Sequence, residues 1–99
     1  MTTDPITRDT LVVQSANGLH LVPCSQIARL VSEFQGTVTL SRGDRTADAK
    51  TVIEIASLGA SQGTELEVVA TGEGGEQVIA DLKELFAAGF PVPEPSDSE

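Results

Sequence analysis

Residues 23–40, Pro23-Cys24-Ser25-Gln26-Ile27-Ala28-Arg29-Leu30-Val31-Ser32-Glu33-Phe34-Gln35-Gly36-Thr37-Val38-Thr39-Leu40, change their hydrophobic period within a single run. Ile27, Leu30, Val31 and Phe34 recur at i, i+3, i+4 and i+7, which places them on one face of a helix. Pro23 suits the first turn of that helix, where its missing N–H would have no partner anyway. Gly36 marks the helix end, and Thr37-Val38-Thr39-Leu40 then alternates at a period of two, the pattern of a half-buried strand. A helix and a strand that follow each other so closely must bury their apolar faces together, so this stretch predicts an α+β layered domain.

Downstream, Arg42-Gly43-Asp44 turns the chain into a second strand near Arg45 to Ala49, making a hairpin. Thr51-Val52-Ile53-Glu54 fits a capping box, in which the Thr oxygen accepts from a backbone N–H three residues on and the Glu reaches back to the cap. A short helix to Leu58 follows, closed by Gly59. Gly63 turns the chain into a strand over Leu66-Glu67-Val68-Val69-Ala70, and the glycines at 72, 74 and 75 lead into a last helix carrying Val78, Leu82, Leu85 and Phe86 on one face. Gly89 and Pro91 lie beyond its end. Upstream, Leu11-Val12-Val13 reads as a short strand stopped by Asn17-Gly18. The order is βαββαβα, and short strands of alternating character favour a four-stranded antiparallel sheet with three helices on one face, an open-faced β-sandwich. Residues 1–10 read as a lead-in and 11–90 as the domain. The run Pro91-Val92-Pro93-Glu94-Pro95-Ser96-Asp97-Ser98-Glu99 reads as a disordered acidic tail with too little apolar content to fold.

Composition narrows the function. The chain has 99 residues, the size of one domain, and its 39% hydrophobic content contains no Trp or Tyr, so an aliphatic core is expected. A formal net charge of -9 repels both phosphate backbones and anionic membrane surfaces, which argues against nucleic acid and lipid as partners. One Cys cannot form an internal disulfide, and with one His it falls short of the four ligands of a structural zinc site, so no metal is expected. Met1 to Thr10 contain no apolar run, so they are expected to be neither a signal peptide nor a membrane span, and the chain reads as cytoplasmic.

Gly18-Leu19-His20-Leu21-Val22-Pro23 places the only His of the chain immediately before a helix start. The unpaired N–H groups of Leu21 and Val22, together with the positive end of the helix dipole, would converge on an anion attached to the imidazole. Neutral imidazole is a nucleophile near physiological pH, so His20 in this setting suits phosphoryl transfer. The plainer reading is an exposed loop His. Cys24, one helical turn on, reads as a small buried side chain because it sits beside the Ile27 stripe.

These residues carry a resemblance to the HPr family, the histidine-containing phosphocarriers of the bacterial sugar phosphotransferase system, from about Leu11 to Phe86. Asn17-Gly18-Leu19-His20 followed by Pro23 resembles the family's active-site loop, and Phe34 its Phe near the end of the first helix. Asp48-Ala49-Lys50-Thr51 is similar to the segment leading into the regulatory serine, and Ser57-Leu58-Gly59 with Gln62-Gly63-Thr64 to the turn into the last strand. The resemblance implies an HPr-like fold without a bound cofactor. It implies a carrier in which His20 takes a phosphoryl group at Nδ1 from enzyme I, charged by phosphoenolpyruvate, and passes it to a IIA-type acceptor, acting as a monomer rather than a turnover catalyst. Thr51 stands at the regulatory-serine position, although the cap accounts for it fully. The chain departs from the family at Val22, where relatives have Arg, and at Ser32 and Glu54, where many have Lys; Arg29 is the retained cation. Leu21, Val22, Arg29, Val52 and Ile53 are therefore the expected partner-binding residues. Val52 reads equally well as core. The alternative on the same fold is a regulatory protein-binding module in which His20 is vestigial.

Overall fold

The computed structural model describes residues 4–91. The chain runs β1 (Ile6–Val12), α1 (Leu21–Ser32), β2 (Thr37–Arg42), β3 (Arg45–Asp48), α2 (Val52–Ser57), β4 (Glu65–Thr71) and α3 (Gly75–Ala87). The strands form one antiparallel sheet in the order β1-β4-β2-β3, with β4 paired to both β1 and β2. Helices α1 and α3 pack on each other, α3 covers β1 and β4, and α2 bridges α1 and β3. The expected open-faced α+β sandwich is therefore the observed one.

One face of each strand supplies the core, as the two-residue period requires. Val38 and Leu40 from β2, Ala47 from β3, and Leu66, Val68 and Ala70 from β4 are buried. Against them lie Ile27 and Val31 of α1, Ile55 of α2, and Val78, Ile79, Leu82 and Phe86 of α3. Phe90 extends the core past the last helix, its ring edge-on to Phe86 with centroids 4.7 Å apart. Such offset aromatic geometry is favourable beyond the area buried.

Three local expectations need correction. The first strand begins at Ile6, not Leu11, so residues 6–10 belong to the sheet rather than to a lead-in. Apolar periodicity is silent there because β1 is an edge strand in which Thr7 and Asp9 take the half-buried positions. Its alignment comes from the ladder to β4, from Arg8 facing Glu67 at 3.6 Å, and from Lys83 of α3 donating to Asp9 at 2.9 Å. The Lys83 hydrogen bond, and then the Thr10 N–H, hold the Asp9 carboxyl below its ordinary range. Charge on an edge strand also discourages pairing with other chains.

The second correction is that α1 ends at Ser32, not Gly36, with Glu33 as its C-cap and the Phe34 N–H closing on Val31 O at 2.9 Å. Gly36 has a different role. A Cβ there would lie 1.9 Å from Thr71 O, so only glycine lets the chain cross the end of β4 on its way into β2. Lys50 donates to Phe34 O and Gly36 O at 2.8 and 2.9 Å, satisfying carbonyls that the crossing leaves outside any helix or strand.

The third is the capping box. Thr51 is the N-cap of α2, but its side chain makes no cap hydrogen bond. Glu54 Oε1 accepts instead from the N–H of Asp48 at 2.9 Å, and Asp48 Oδ1 accepts from the N–H of Lys50. The reciprocal bond is displaced because the β3 end offers an unpaired donor within reach of Glu54. The expected acidic tail lies outside the described residues apart from Pro91.

Two stability outcomes follow from this geometry. Gly36→Ala should cost about 3 kcal/mol or more, since a backbone collision exceeds ordinary overpacking. Gly43→Ala, where no atom lies within 4 Å and only the positive φ of 60° is strained, should cost about 1 to 2 kcal/mol. Equal urea midpoints for the two variants would contradict the close approach at Thr71. At α2, Thr51→Ala should stay within about 0.5 kcal/mol of wild type. Glu54→Ala should lose about 0.5 to 1.5 kcal/mol with its hydrogen bond. A larger loss from Thr51→Ala in the same urea titrations would restore the capping box.

Candidate functional site

The segment between β1 and α1 is a tight loop anchored on residues 60–64. The Gly18 N–H donates to Ser15 O at 3.0 Å and the Ser15 hydroxyl to Gly18 O at 2.9 Å, closing a turn. Gly18 then takes a φ of 70°, and a Cβ on it would stand 2.5 Å from Ala60 O. This is the second place where glycine is dictated, both by the left-handed backbone and by the close approach. The next residue uses the same carbonyl: the Leu19 N–H donates to Ala60 O at 2.9 Å while its side chain is buried. Gln62 Nε2 adds a bond to Gln14 O at 3.1 Å. The loop is thus fastened to the turn that follows α2.

From that anchor the chain enters α1. His20 is the N-cap, extended at φ -88° and ψ -168°, and its carbonyl accepts the first intrahelical bond from Cys24 at 3.1 Å. Its imidazole is exposed and makes no cap bond. The N–H groups of Leu21 and Val22 have no acceptor among the described residues, and Pro23 has no N–H to satisfy. An exposed imidazole therefore stands beside two unpaired donors and the positive end of a 12-residue helix. That arrangement can hold an anionic group carried on the imidazole.

Cys24 is no part of this chemistry. It is fully buried, its Sγ reaches Leu19 O at 3.6 Å, and burial raises its thiol pKa, so the nucleophilic thiolate is disfavoured. Its contribution is to pack under the loop that presents His20. Among the described residues no three His, Cys, Asp or Glu side chains gather in a way that could hold a metal ion.

The expected partner-binding residues separate into two groups. Leu21, Val22 and Ile53 are exposed, at 61%, 43% and 72%. These are large apolar side chains left in water on two helices that pack against each other. Val52 is only half-buried and packs against the core, so it belongs chiefly to the interior. Arg29 is exposed in the last turn of α1 and has no ion-pair partner among the described residues. The other cations are occupied. Arg8 and Lys83 pair with carboxylates, while Arg42, Arg45 and Lys50 donate to backbone carbonyls. The role of Ala60 beside the loop carries no sequence signal, because it acts through partners far away in the chain.

The chain is similar to known proteins in both sequence and fold. Residues 7–88 match the family model described as the PTS HPr component phosphorylation site. The phosphocarrier protein HPr of Xylella fastidiosa is 35% identical over 80 residues, covering 81% of this chain and 90% of that protein. The phosphoryl donor subunit DhaM of the PEP-dependent dihydroxyacetone kinase from Providencia stuartii is 35% identical over 79 residues, 80% of this chain but 17% of that protein. Among solved structures, HPr-C-His from Thermoanaerobacter tengcongensis superposes with a TM-score of 0.82 at 26% identity, over 88% of this chain and 98% of that one. No helix among the described residues is long and apolar enough to cross a membrane. With a family model spanning nearly the whole folded region and an HPr of similar length more than 30% identical, this chain belongs to the HPr family of the phosphotransferase system.

Proposed function

We propose that the protein is a cytoplasmic, monomeric phosphocarrier whose His20 accepts a phosphoryl group from an enzyme I-type donor and passes it to a IIA-type acceptor. The observation that carries this reading is the exposed N-cap His20 beside the unpaired Leu21 and Val22 N–H groups. In the first transfer the lone pair of the neutral imidazole Nδ1 attacks phosphorus, and the bond to the donor breaks with its electron pair staying on the donor. The phosphoryl oxygens then face the two N–H groups and the helix dipole, which favour negative charge at that end. The stabilisation is modest, so the phosphoryl group can leave again, as a carrier requires.

Docking falls to Leu21, Val22 and Ile53, with Arg29 as the unpaired cation. Exposed large apolar side chains on two helices that pack together suit a protein interface. Thr51 is exposed and its hydroxyl takes no part in the α2 cap, which leaves it open as the regulatory position.

Incubation with phosphoenolpyruvate and a bacterial enzyme I should add one phosphate to the intact mass, removable by mild acid. An acid-stable product, or one that forms equally in His20→Ala, sinks the carrier reading. Val22 offers a second test. Relatives place a guanidinium here, and a charge-assisted hydrogen bond to phosphate contributes about 1.5 to 3 kcal/mol. Part of that is offset by ordering a long side chain. Val22→Arg should therefore speed phosphorylation about tenfold, equivalent to about 1.4 kcal/mol. An unchanged rate would mean that the backbone donors and dipole already suffice.

A further inference from the structure

The turn that holds the His20 loop is itself held, by a residue with no place in the chemistry described above. Helix α2 is only six residues long, and its last carbonyls face the β2–β3 hairpin. Arg42, the last residue of β2, donates from Nη1 to Leu58 O at 2.8 Å and to Gly59 O at 3.4 Å, the former bond partly buried. Arg45, the first residue of β3, donates from Nη1 to Ser57 O at 3.0 Å. Two guanidinium groups thus satisfy successive carbonyls at the end of α2, where the helix leaves them without partners and carries its negative pole.

The residue after Gly59 is Ala60, whose carbonyl accepts from Leu19 and is approached closely by Gly18. A continuous series of contacts therefore runs from the Arg42 guanidinium through Leu58 and Gly59 to Ala60 O, then through Leu19 to His20. Residues 61–64 are tied further to the end of β1 and the residues after it: Gly63 donates to Val13 O at 2.7 Å, Val13 donates to Thr64 O at 2.9 Å, and Gln62 Nε2 donates to Gln14 O. On the α2 side, Arg42 is the side chain that donates to the two carbonyls, Leu58 O and Gly59 O, immediately before Ala60.

We propose that Arg42 is a positioning residue for His20, setting where Ala60 O sits and so where the loop delivers the imidazole against the Leu21 and Val22 N–H groups. The proposal rests on the phosphocarrier reading for its functional consequence, and on contacts alone for the anchoring. Arg42 touches neither the imidazole nor the incoming phosphoryl group. Its effect falls on the fraction of molecules in which the loop is seated.

The test replaces Arg42 with Met, which keeps the apolar stem and removes the donors, and with Lys, which can still reach Leu58 O. Amide hydrogen exchange reads the anchoring and phosphoenolpyruvate-driven phosphorylation by a bacterial enzyme I reads the consequence. In Arg42→Met the Leu19 amide should exchange about tenfold faster, while Leu40 and Val68 in the centre of the sheet keep their wild-type rates, the mark of local rather than global opening. The maximal phosphorylation rate should fall about threefold to tenfold at an unchanged half-saturating donor concentration, and Arg42→Lys should recover most of both. Unchanged Leu19 exchange, an equal rise at Leu40 and Val68, or an unchanged maximal rate would each overturn the proposal. A wild-type chain that takes no phosphate overturns the carrier reading and the proposal with it. A phosphorylated wild type with unaltered Leu19 exchange overturns the proposal alone.

Discussion

The pairing of β4 with both β1 and β2 is the interaction on which the rest of the molecule depends. The strand arrives late in sequence yet lies inside the sheet, and Leu66, Val68 and Ala70 on its inner face are almost wholly removed from water. Without it β1 has no neighbour and the β2–β3 hairpin stands alone, and an isolated two-stranded hairpin is marginal in water. The same strand fixes the geometry at both of its ends. Thr71 sets the close crossing that Gly36 permits, and Glu65 follows directly on the turn that receives the His20 loop. A contact pattern this non-local makes the closing of the sheet the demanding step in folding.

The candidate site is built on the joint between two short connections rather than in a cleft. The loop before α1 and the turn after α2 share Ala60 O, and His20 caps the helix that starts there, next to the unpaired Leu21 and Val22 N–H groups. Binding that comes from backbone N–H groups and a dipole needs no particular side chain at Leu21 or Val22. Those two positions are consequently free to be apolar. On the proposed reading, phosphate stabilisation falls to the main chain and partner recognition to exposed side chains on α1 and α2.

Where periodicity was strong, the sequence was readable. The stripe Ile27, Leu30, Val31, Phe34 and the alternation through Val38 and Leu40 led directly to α1 and β2, and the Asn17-Gly18-Leu19-His20 segment led to the candidate site. The lower half of β1 escaped because an edge strand carrying Arg8 and Asp9 has no apolar rhythm to detect. The Thr51 capping box matched in pattern but not in structure, since a local motif cannot register that Asp48 offers Glu54 a competing donor. Arg42 was invisible for the same reason on a larger scale. Its acceptors lie 16 and 17 residues away, and nothing near it in sequence announces them.

The use made of the basic residues has an effect on how the fold responds to electrolyte. Arg42, Arg45 and Lys50 each donate to backbone carbonyls, so half of the six Lys and Arg residues have main-chain acceptors, while 15 acidic residues leave the chain at -9. Two ion pairs, Arg8 with Glu67 and Lys83 with Asp9, are all that join opposite charges among the described residues. Added electrolyte screens repulsion and attraction alike, and here repulsion is the larger account, while hydrogen bonds to neutral carbonyls are far less sensitive to counterions. The folded state should thus become firmer as ionic strength rises, the reverse of a protein secured by surface ion pairs.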